Sequence, residues 1–308
     1  MALTLSEIQR DMLDVLEARI EQVALLPSVI SKLSKFDVDQ IGATEQIEAL
    51  IRSDPPLALR LLRLANAGGL VTRNVATIGE ALIQVGTRRL ADMALALSVV
   101  QVFVPSTVAQ RNLWVHSIQT AFASRRIAEL NVEFCVDPEV AYLAGLLHDI
   151  GRFMIFEHRP QDIALVDEAL VSDPRELIQA EIKACGFDHA TLGGMICERL
   201  LLPFGVCEMT RAHHFYRDKR DNIAPEVEKL VRVVQEAGCL SFGLLRRASL
   251  PWRDRGREDW IPRAFDLIAP SERSLSSQRW TDEIKKIDHD ARIATAAVEI
   301  AYPAIALN

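Results

Sequence analysis

Histidine and aspartate side chains lie at predicted helical positions from which they could bind a metal ion together. His148 and Asp149 follow a run of mostly apolar residues, 141–147, where an unpaired carboxylate would be strongly unfavourable. A divalent cation would compensate that charge, and imidazole together with carboxylate suits Fe, Mn, Ni or Zn. The candidate ligands are His116, His148, Asp149, His189, His213 and His214.

The alternative interpretation is that these histidines are ordinary helix residues. A single histidine on an amphipathic helix is more often a core or surface residue, and we assign His158 and His289 to that class. His213 and His214 would be a weak signal by themselves. The whole set favours a metal site, because four predicted helices each contribute ligand-type side chains and helical proteins build metal sites in this way.

Helix signals recur along most of the chain and must position these side chains. Asp-Pro pairs at 54–55, 137–138 and 173–174 place an N-cap residue before a proline at the first helical position. The pattern predicts one unbroken helix over 138–156 and another over 175–184. Aromatic residues are sparse, and no stretch of alternating apolar and polar residues rivals the helices. We therefore predict an all-α fold.

Composition and charge narrow the functional classes. The chain has 49% apolar and 25% charged residues, which is typical of a globular protein. Its net charge of −7 disfavours nucleic-acid binding, which usually needs a basic surface. The five cysteines form no CxxC pair, which favours a reducing compartment. Residues 1–10 lack the apolar run of a signal peptide, and the longest apolar stretch, 93–104, is too short for a bilayer, so we predict a cytoplasmic protein without membrane contact.

The motifs of the second half carry a family resemblance. Segment 143–151, Leu-Ala-Gly-Leu-Leu-His-Asp-Ile-Gly, resembles the motif of HD-superfamily metal-dependent phosphohydrolases. Segments 187–193, Phe-Asp-His-Ala-Thr-Leu-Gly, and 211–214, Arg-Ala-His-His, are similar to the later histidine segments of the HD-GYP branch. The order of these histidines resembles the ligand order of that branch, which implies a centre of two metal ions.

Three motifs of the first half point to a narrower family. Segments 25–33, 54–66 and 77–86 are similar to the HDOD domain, the HD-related output domain of bacterial signalling proteins. The resemblance covers residues 22–217. It implies an N-terminal helical bundle followed by an HD-like helical subdomain. The corresponding division of the chain is 1–104 for the bundle, 105–245 for the HD-like metal-site subdomain, and 246–308 for a C-terminal extension with a charged loop and a helix.

The resemblance also implies roles for individual residues. Asp149 would be the catalytic residue that bridges the two ions. His116 and His148 would lie toward one ion, and the other three histidines, at 189, 213 and 214, toward the second. Lys183 and Arg152 are the nearest basic side chains in the sequence that could hold a substrate phosphate, although both are more often solvated charges.

Departures from the family pattern leave two interpretations open. No Gly-Tyr-Pro follows His214, so we do not expect hydrolysis of cyclic-di-GMP. Asn112 and Glu236 stand where carboxylate ligands occur in related proteins. The chain is either a signal-transduction protein that hydrolyses a nucleotide or a related phosphate ester, or an inactive regulatory module with a structural or sensory metal. Both interpretations imply a signalling protein partner, because no receiver, cyclase or DNA-binding segment is recognisable.

Overall fold

The computed structural model describes most, but not all, of the chain. The described residues are 10–11, 14–15, 40–52, 57–58, 61–62, 65–66, 75–102, 107–169, 177–200, 202–214, 223–249 and 283–292. They contain helices and no strand, which confirms the predicted all-α fold. The motif at 25–33 and most of the predicted C-terminal extension lie outside these ranges. The division of the chain at residue 104 stays a prediction.

Eleven α-helices have defined bounds within the described residues. They are α1 Ala43–Arg52, α2 Ile78–Val85, α3 Thr87–Val102, α4 Val108–Leu130, α5 Pro138–Leu147, α6 Ile150–His158, α7 Pro160–Ala169, α8 Leu177–Cys185, α9 His189–Arg199, α10 Phe204–Ala212 and α11 Pro225–Ser249. A short 3₁₀ helix, Val132–Phe134, lies between α4 and α5. None of the described helices combines the length and the apolar character that crossing a membrane requires.

Side-chain caps fix where several helices begin. The Asp137 carboxylate accepts hydrogen bonds from the backbone N–H groups of residues 139 and 140, directly before Pro138, as the sequence predicts. Thr77 and Thr107 each form a capping box, with Glu80 and Gln110 respectively. These local bonds satisfy N–H groups that have no partner within the helix, and the predicted start of α5 at Asp137 and Pro138 agrees with the structure.

The prediction of one helix over 138–156 is wrong. The structure has two helices, α5 and α6, separated at His148 and Asp149. Asp149 leaves the helical region of backbone space (φ −100°, ψ 14°) and is the residue before α6, but its carboxylate forms no cap hydrogen bond. The break therefore leaves this carboxylate available for contacts between helices. It also places the carboxylate at the N-terminus of α6, where the partial positive charge of the helix favours an anion.

Glycines allow the helices that carry the site to approach closely. A Cβ on Gly145 would lie 2.7 Å from the Ser124 hydroxyl, on α4. A Cβ on Gly151 would collide with the carbonyl oxygen of His189, and one on Gly193 would lie 2.9 Å from the Thr210 methyl group. The packing of α5 on α4, of α6 on α9, and of α9 on α10 thus depends on positions without a side chain.

A partly buried ionic cluster joins α3, α4 and α5. The Arg125 guanidinium donates to both carboxylate oxygens of Asp92, at 2.5 and 2.6 Å, and to Glu139 at 2.7 Å. It also lies 4.1 Å from the centre of the Tyr142 ring. Arg88 forms an ion pair with Glu139. The cluster links a helix from before residue 104 to two helices beyond it.

Residues 283–292 are helical and contact helices from both sides of residue 104. Ile284 and Ile287 are buried in the hydrophobic cluster around α4 and α11, whereas Ala291 belongs to the cluster that includes α1, α2 and α3. Glu283 pairs with Arg126 of α4 at 2.6 Å. This part of the C-terminal extension thus contacts both hydrophobic clusters.

Candidate metal centre

The six predicted ligand residues come together in space. One group consists of His116, His148 and Asp149, and the other of Asp149, His189, His213 and His214; within each group, one potential ligand atom per residue lies within 4.8 Å of all the others. Asp149 belongs to both groups. The division is the one that the family resemblance implies, and the assignment of these residues as metal ligands stays a proposal.

Four separate regions of the fold supply these side chains. His116 lies in the middle of α4, and His148 and Asp149 occupy the break between α5 and α6. His189 is the first residue of α9, after the N-cap Asp188. His213 directly follows α10. Helix ends therefore provide most of the cluster, because a residue at a helix end can turn its side chain toward several neighbouring helices.

Two of the imidazoles have their protonation pattern fixed by backbone carbonyls. His148 Nδ1 lies 2.8 Å from the Gly145 carbonyl oxygen, and His213 Nδ1 lies 2.7 Å from that of Thr210. A carbonyl oxygen only accepts, so each Nδ1 must carry the proton. In the neutral ring, Nε2 then presents a lone pair.

Side chains, rather than backbone carbonyls, hold the Nδ1 atoms of His189 and His116. His189 Nδ1 lies 2.6 Å from a carboxylate oxygen of Glu181. His116 Nδ1 lies 2.9 Å from the Ser241 hydroxyl oxygen, and that hydroxyl donates to Gln119 at 2.8 Å. Since the serine proton is used there, we assign His116 Nδ1 as the donor to Ser241. In the neutral rings, both Nε2 atoms are again left with a lone pair.

All four Nε2 atoms converge on the Asp149 carboxylate. Oδ1 lies 3.1 Å from His189 Nε2 and 3.5 Å from His213 Nε2. Oδ2 lies 3.4 Å from His148 Nε2 and 3.7 Å from His116 Nε2. The imidazoles also face each other in pairs: the Nε2–Nε2 distance is 3.1 Å between His116 and His148, and 3.1 Å between His189 and His213.

This donor set fits divalent cations. Lone pairs that face each other at such distances repel unless a proton or a cation lies between them. His214 adds a second indication, because both its ring nitrogens are buried without a hydrogen-bond partner. Buried polar atoms in native proteins normally have partners, and an ion is one explanation for an exception. Imidazole nitrogen and carboxylate oxygen suit Fe, Mn, Ni or Zn.

Burial and charge shift the pKa values of the cluster in opposite directions. Burial lowers the pKa of His148 to about 3 and also lowers the pKa values of His116 and His214. At His189, burial acts in the same direction, but the carboxylates of Glu181 and Asp149 prevail and raise the pKa to about 9. Burial would raise the pKa of Asp149, but the surrounding imidazoles hold it well below its usual value. The Asp149 carboxylate is therefore ionised and the rings of His116, His148 and His214 are neutral, whereas His189 must release a proton when it binds a cation.

Sequence reasoning missed Glu181. This carboxylate is 0% exposed, and its Oε2 accepts hydrogen bonds from His189 Nδ1 and from the His189 backbone N–H, the latter at 2.9 Å. Arg152 lies beside it, with Nε 3.3 Å from Oε1. A usable signal existed: Leu177, Glu181 and Cys185 are the buried residues of α8, so the glutamate occupies the apolar stripe of its helix.

The remaining predicted residues differ in their placement. Arg152 is buried and contacts Glu181, which in turn binds His189. Lys183 is exposed on α8, and no described contact joins it to the imidazoles. Asn112 is exposed on α4, whereas Glu236 is buried on α11. The substrate-binding roles of Arg152 and Lys183 stay predictions.

Comparisons with known proteins agree with this architecture. The family model of the HDOD domain matches residues 23–216 of the chain. A solved structure of a candidate phosphohydrolase from Shewanella amazonensis SB2B is 21% identical with a TM-score of 0.63, over 92% of this chain and 97% of that chain. An HDOD domain protein with unknown function from Geobacter sulfurreducens is 24% identical with a TM-score of 0.60, over 90% and 91% respectively.

A third structure, of a candidate signal transduction protein from Marinobacter aquaeolei VT8, is 16% identical with a TM-score of 0.63, over 95% of this chain and 65% of that chain. At these identities the likeness to solved structures shows the fold alone. A comparison with curated proteins finds no match.

Proposed function

This chain belongs to the HDOD domain family, and we propose that it binds two divalent cations around Asp149 and hydrolyses a phosphate ester there as part of a bacterial signalling system. The observation that carries the proposal is the convergence of four imidazole Nε2 atoms on one buried carboxylate. Burial costs each of these groups its hydration, and a bound cation would offset that loss.

The protein's own residues prepare the site before any cation arrives. Acceptors on the Nδ1 side fix the ring orientation, so that the Nε2 atoms need little rearrangement to bind. Asp149 offers one oxygen to His189 and His213 and the other to His116 and His148. In the proposed function, this carboxylate would help to hold both cations.

Bound divalent cations would supply Lewis acidity, which makes hydroxide available near neutral pH and offsets negative charge that develops on a phosphoryl oxygen. The helices around the cluster would exclude bulk water and thereby strengthen these electrostatic effects. The side chain of His116 is 17% exposed, compared with 5% for His148 and 0% for His189, so the site is more open near His116. A substrate would therefore approach from the side of His116.

A regulatory module with a structural or sensory metal is the second candidate function. It is favoured by the deep burial of the cluster, which leaves little room for a substrate on the side of His189 and His213. In this case the cations would stabilise one arrangement of the helices, and a partner protein would recognise that arrangement.

Metal analysis of the purified protein is the first test. We expect about two equivalents of Fe, Mn, Ni or Zn per chain under reducing conditions, one for each group of candidate ligands. Asp149→Asn should lose most of this metal. His289→Ala, at an exposed histidine outside both groups, is the matched control and should retain it. Wild-type protein without stoichiometric metal would refute the proposal.

Turnover separates the two candidate functions. Protein loaded with Mn is incubated with bis(p-nitrophenyl) phosphate and with p-nitrophenyl phosphate, and the release of nitrophenolate is compared with that of Asp149→Asn. Hydrolysis that this substitution abolishes supports the phosphohydrolase. Loaded protein that hydrolyses neither compound favours the regulatory module. Cyclic-di-GMP serves as a further substrate that we expect to remain intact.

The biological setting belongs to the proposal as well. We infer that the chain acts in the cytoplasm, with a signalling protein as its partner and without binding nucleic acid or membrane. The ligand class would be a nucleotide or a related phosphate ester. The proposed division into 1–104, 105–245 and 246–308 assigns the site to the central part.

A further inference from the structure

Glu181 is the one charged acceptor among the described groups that hold the Nδ1 atoms of the four converging histidines. It accepts two hydrogen bonds from His189, through the ring and through the backbone. The corresponding acceptor for His116 is the neutral Ser241 hydroxyl, and those for His148 and His213 are neutral carbonyls. The two groups of candidate ligands, called here the two halves of the candidate metal centre, thus differ in the charge that lies behind their imidazoles.

A carboxylate behind an imidazole changes its behaviour toward a cation. The ring becomes a stronger electron donor, and its orientation is fixed more firmly than by a neutral acceptor. The buried charge of Glu181 is compensated by Arg152, whose Nε lies 3.3 Å from Oε1. A buried carboxylate with these contacts can remain in place whether or not a cation is bound.

The two halves also differ in the number of imidazoles that they offer to a cation. The half that contains His189 offers three imidazoles, whereas the other half offers two. Within the half that offers three, His189 and His213 are more deeply buried than His116, with 0% and 5% side-chain exposure compared with 17%. Burial strengthens the attraction between a cation and its ligands.

We propose that Glu181 is a positioning residue that makes the group of His189, His213 and His214 the half that takes up the first divalent cation. The inference rests on the proposed function only in that the site binds two cations. The half that contains His116 and His148 then binds the second cation more weakly and exchanges it more readily. Occupancy of this second half would follow the surrounding concentration of the cation.

Titration of the metal-free protein with Co²⁺ tests this order. Calorimetry reports the two affinities, and the visible absorption of Co²⁺ reports the ligands of each equivalent. In Glu181→Gln the amide oxygen can still accept a hydrogen bond but the charge is lost. We expect its first-step affinity to fall about 10- to 100-fold, with an altered spectrum of the first equivalent and a much smaller change in the second step.

Ser241→Ala is the matched control, because it removes the acceptor behind His116 instead. It should leave the affinity and spectrum of the first equivalent unchanged and weaken the second step. If Glu181 served only to cap the backbone of α9, Glu181→Gln would bind the first equivalent like the wild type. That result would overturn the inference.

A second variant covers the case in which Glu181→Gln does not fold, as judged by circular dichroism. His116→Ala removes a ligand from the weaker half, so it should keep wild-type affinity for one equivalent of Co²⁺ and lose the second. Loss of the first, tight equivalent in this variant would overturn the inference. Wild-type protein that binds no Co²⁺ would instead refute the proposed function itself.

Discussion

The Cα of Gly151 packs against the backbone of His189, so closely that a Cβ at residue 151 would collide with the His189 carbonyl oxygen. This contact joins the start of α6 to the start of α9. Because Asp149 immediately precedes α6 and His189 begins α9, the same contact brings the carboxylate to within 3.1 Å of an imidazole. Helix packing and ligand geometry are therefore coupled at this point.

Substitution of Gly151 by alanine should consequently destabilise the protein. The added methyl group meets backbone atoms that cannot move aside, and overpacking of this kind typically lowers the free energy of unfolding by about 1–3 kcal/mol. Urea unfolding of the metal-free protein measures the change. Gly238→Ala in α11 is the control: a Cβ at this residue would meet no atom within 4 Å, and we expect a gain of about 0.5–1 kcal/mol from helix propensity. Equal effects of the two substitutions would contradict the packing argument.

Divalent cations should raise the stability of the folded protein. A ligand that binds only the native state adds about 2.7 kcal/mol at a concentration of 100 times its Kd. We expect thermal unfolding to shift upward with Mn²⁺ or Zn²⁺ and downward again with a chelator. In His214→Ala the shift should be smaller, because one imidazole is lost from the larger group. A shift of the same size in this variant would exclude His214 from the site.

The buried Arg125 should matter more for stability than a surface arginine. Arg125→Met leaves the carboxylates of Asp92 and Glu139 without their main cationic partner, and breaking a buried pair typically costs about 3–5 kcal/mol. Arg52→Met is the control, because Arg52 pairs with Glu48 while 60% exposed, and such pairs contribute about 1 kcal/mol or less. Denaturant unfolding of both variants tests the difference, and equal losses would contradict the importance of burial.

The metal-free protein should lose stability as the pH falls below about 6.5. Burial lowers the pKa of His148 to about 3 from its usual 6.5, so between these values the unfolded chain binds a proton that the folded chain does not. Stability then rises with pH across this interval, by at most about 1.4 kcal/mol per pH unit for one group. His189 adds no slope there, because its pKa is raised to about 9 and both states are protonated below 6.5.

Unfolding with urea at pH 5 and pH 7, in the presence of a chelator, measures this dependence. In His148→Gln the titrating group is absent, so the difference in stability between the two pH values should be smaller than in the wild type. An unchanged difference would show that His148 does not carry the effect.

The sequence determined the features that depend on neighbours along the chain. The cap at Asp137 locates the start of α5, because its hydrogen bonds span two or three residues. Helical spacing and composition predicted the all-α fold, and the motifs identified the family. The six candidate ligands were recognisable because histidine and aspartate have a distinct chemistry wherever they stand.

The tertiary structure decided the features that depend on residues far apart in the chain. The break at His148 and Asp149 could not be read from an apolar pattern that continues across it. The apolar stripe of α8 marks Glu181 as a buried carboxylate, but only folding shows that it lies behind His189. Convergence of the imidazoles requires four chain regions to pack at fixed distances and angles. Side-chain shapes at the helix contacts set these distances and angles, and no local sequence pattern encodes them.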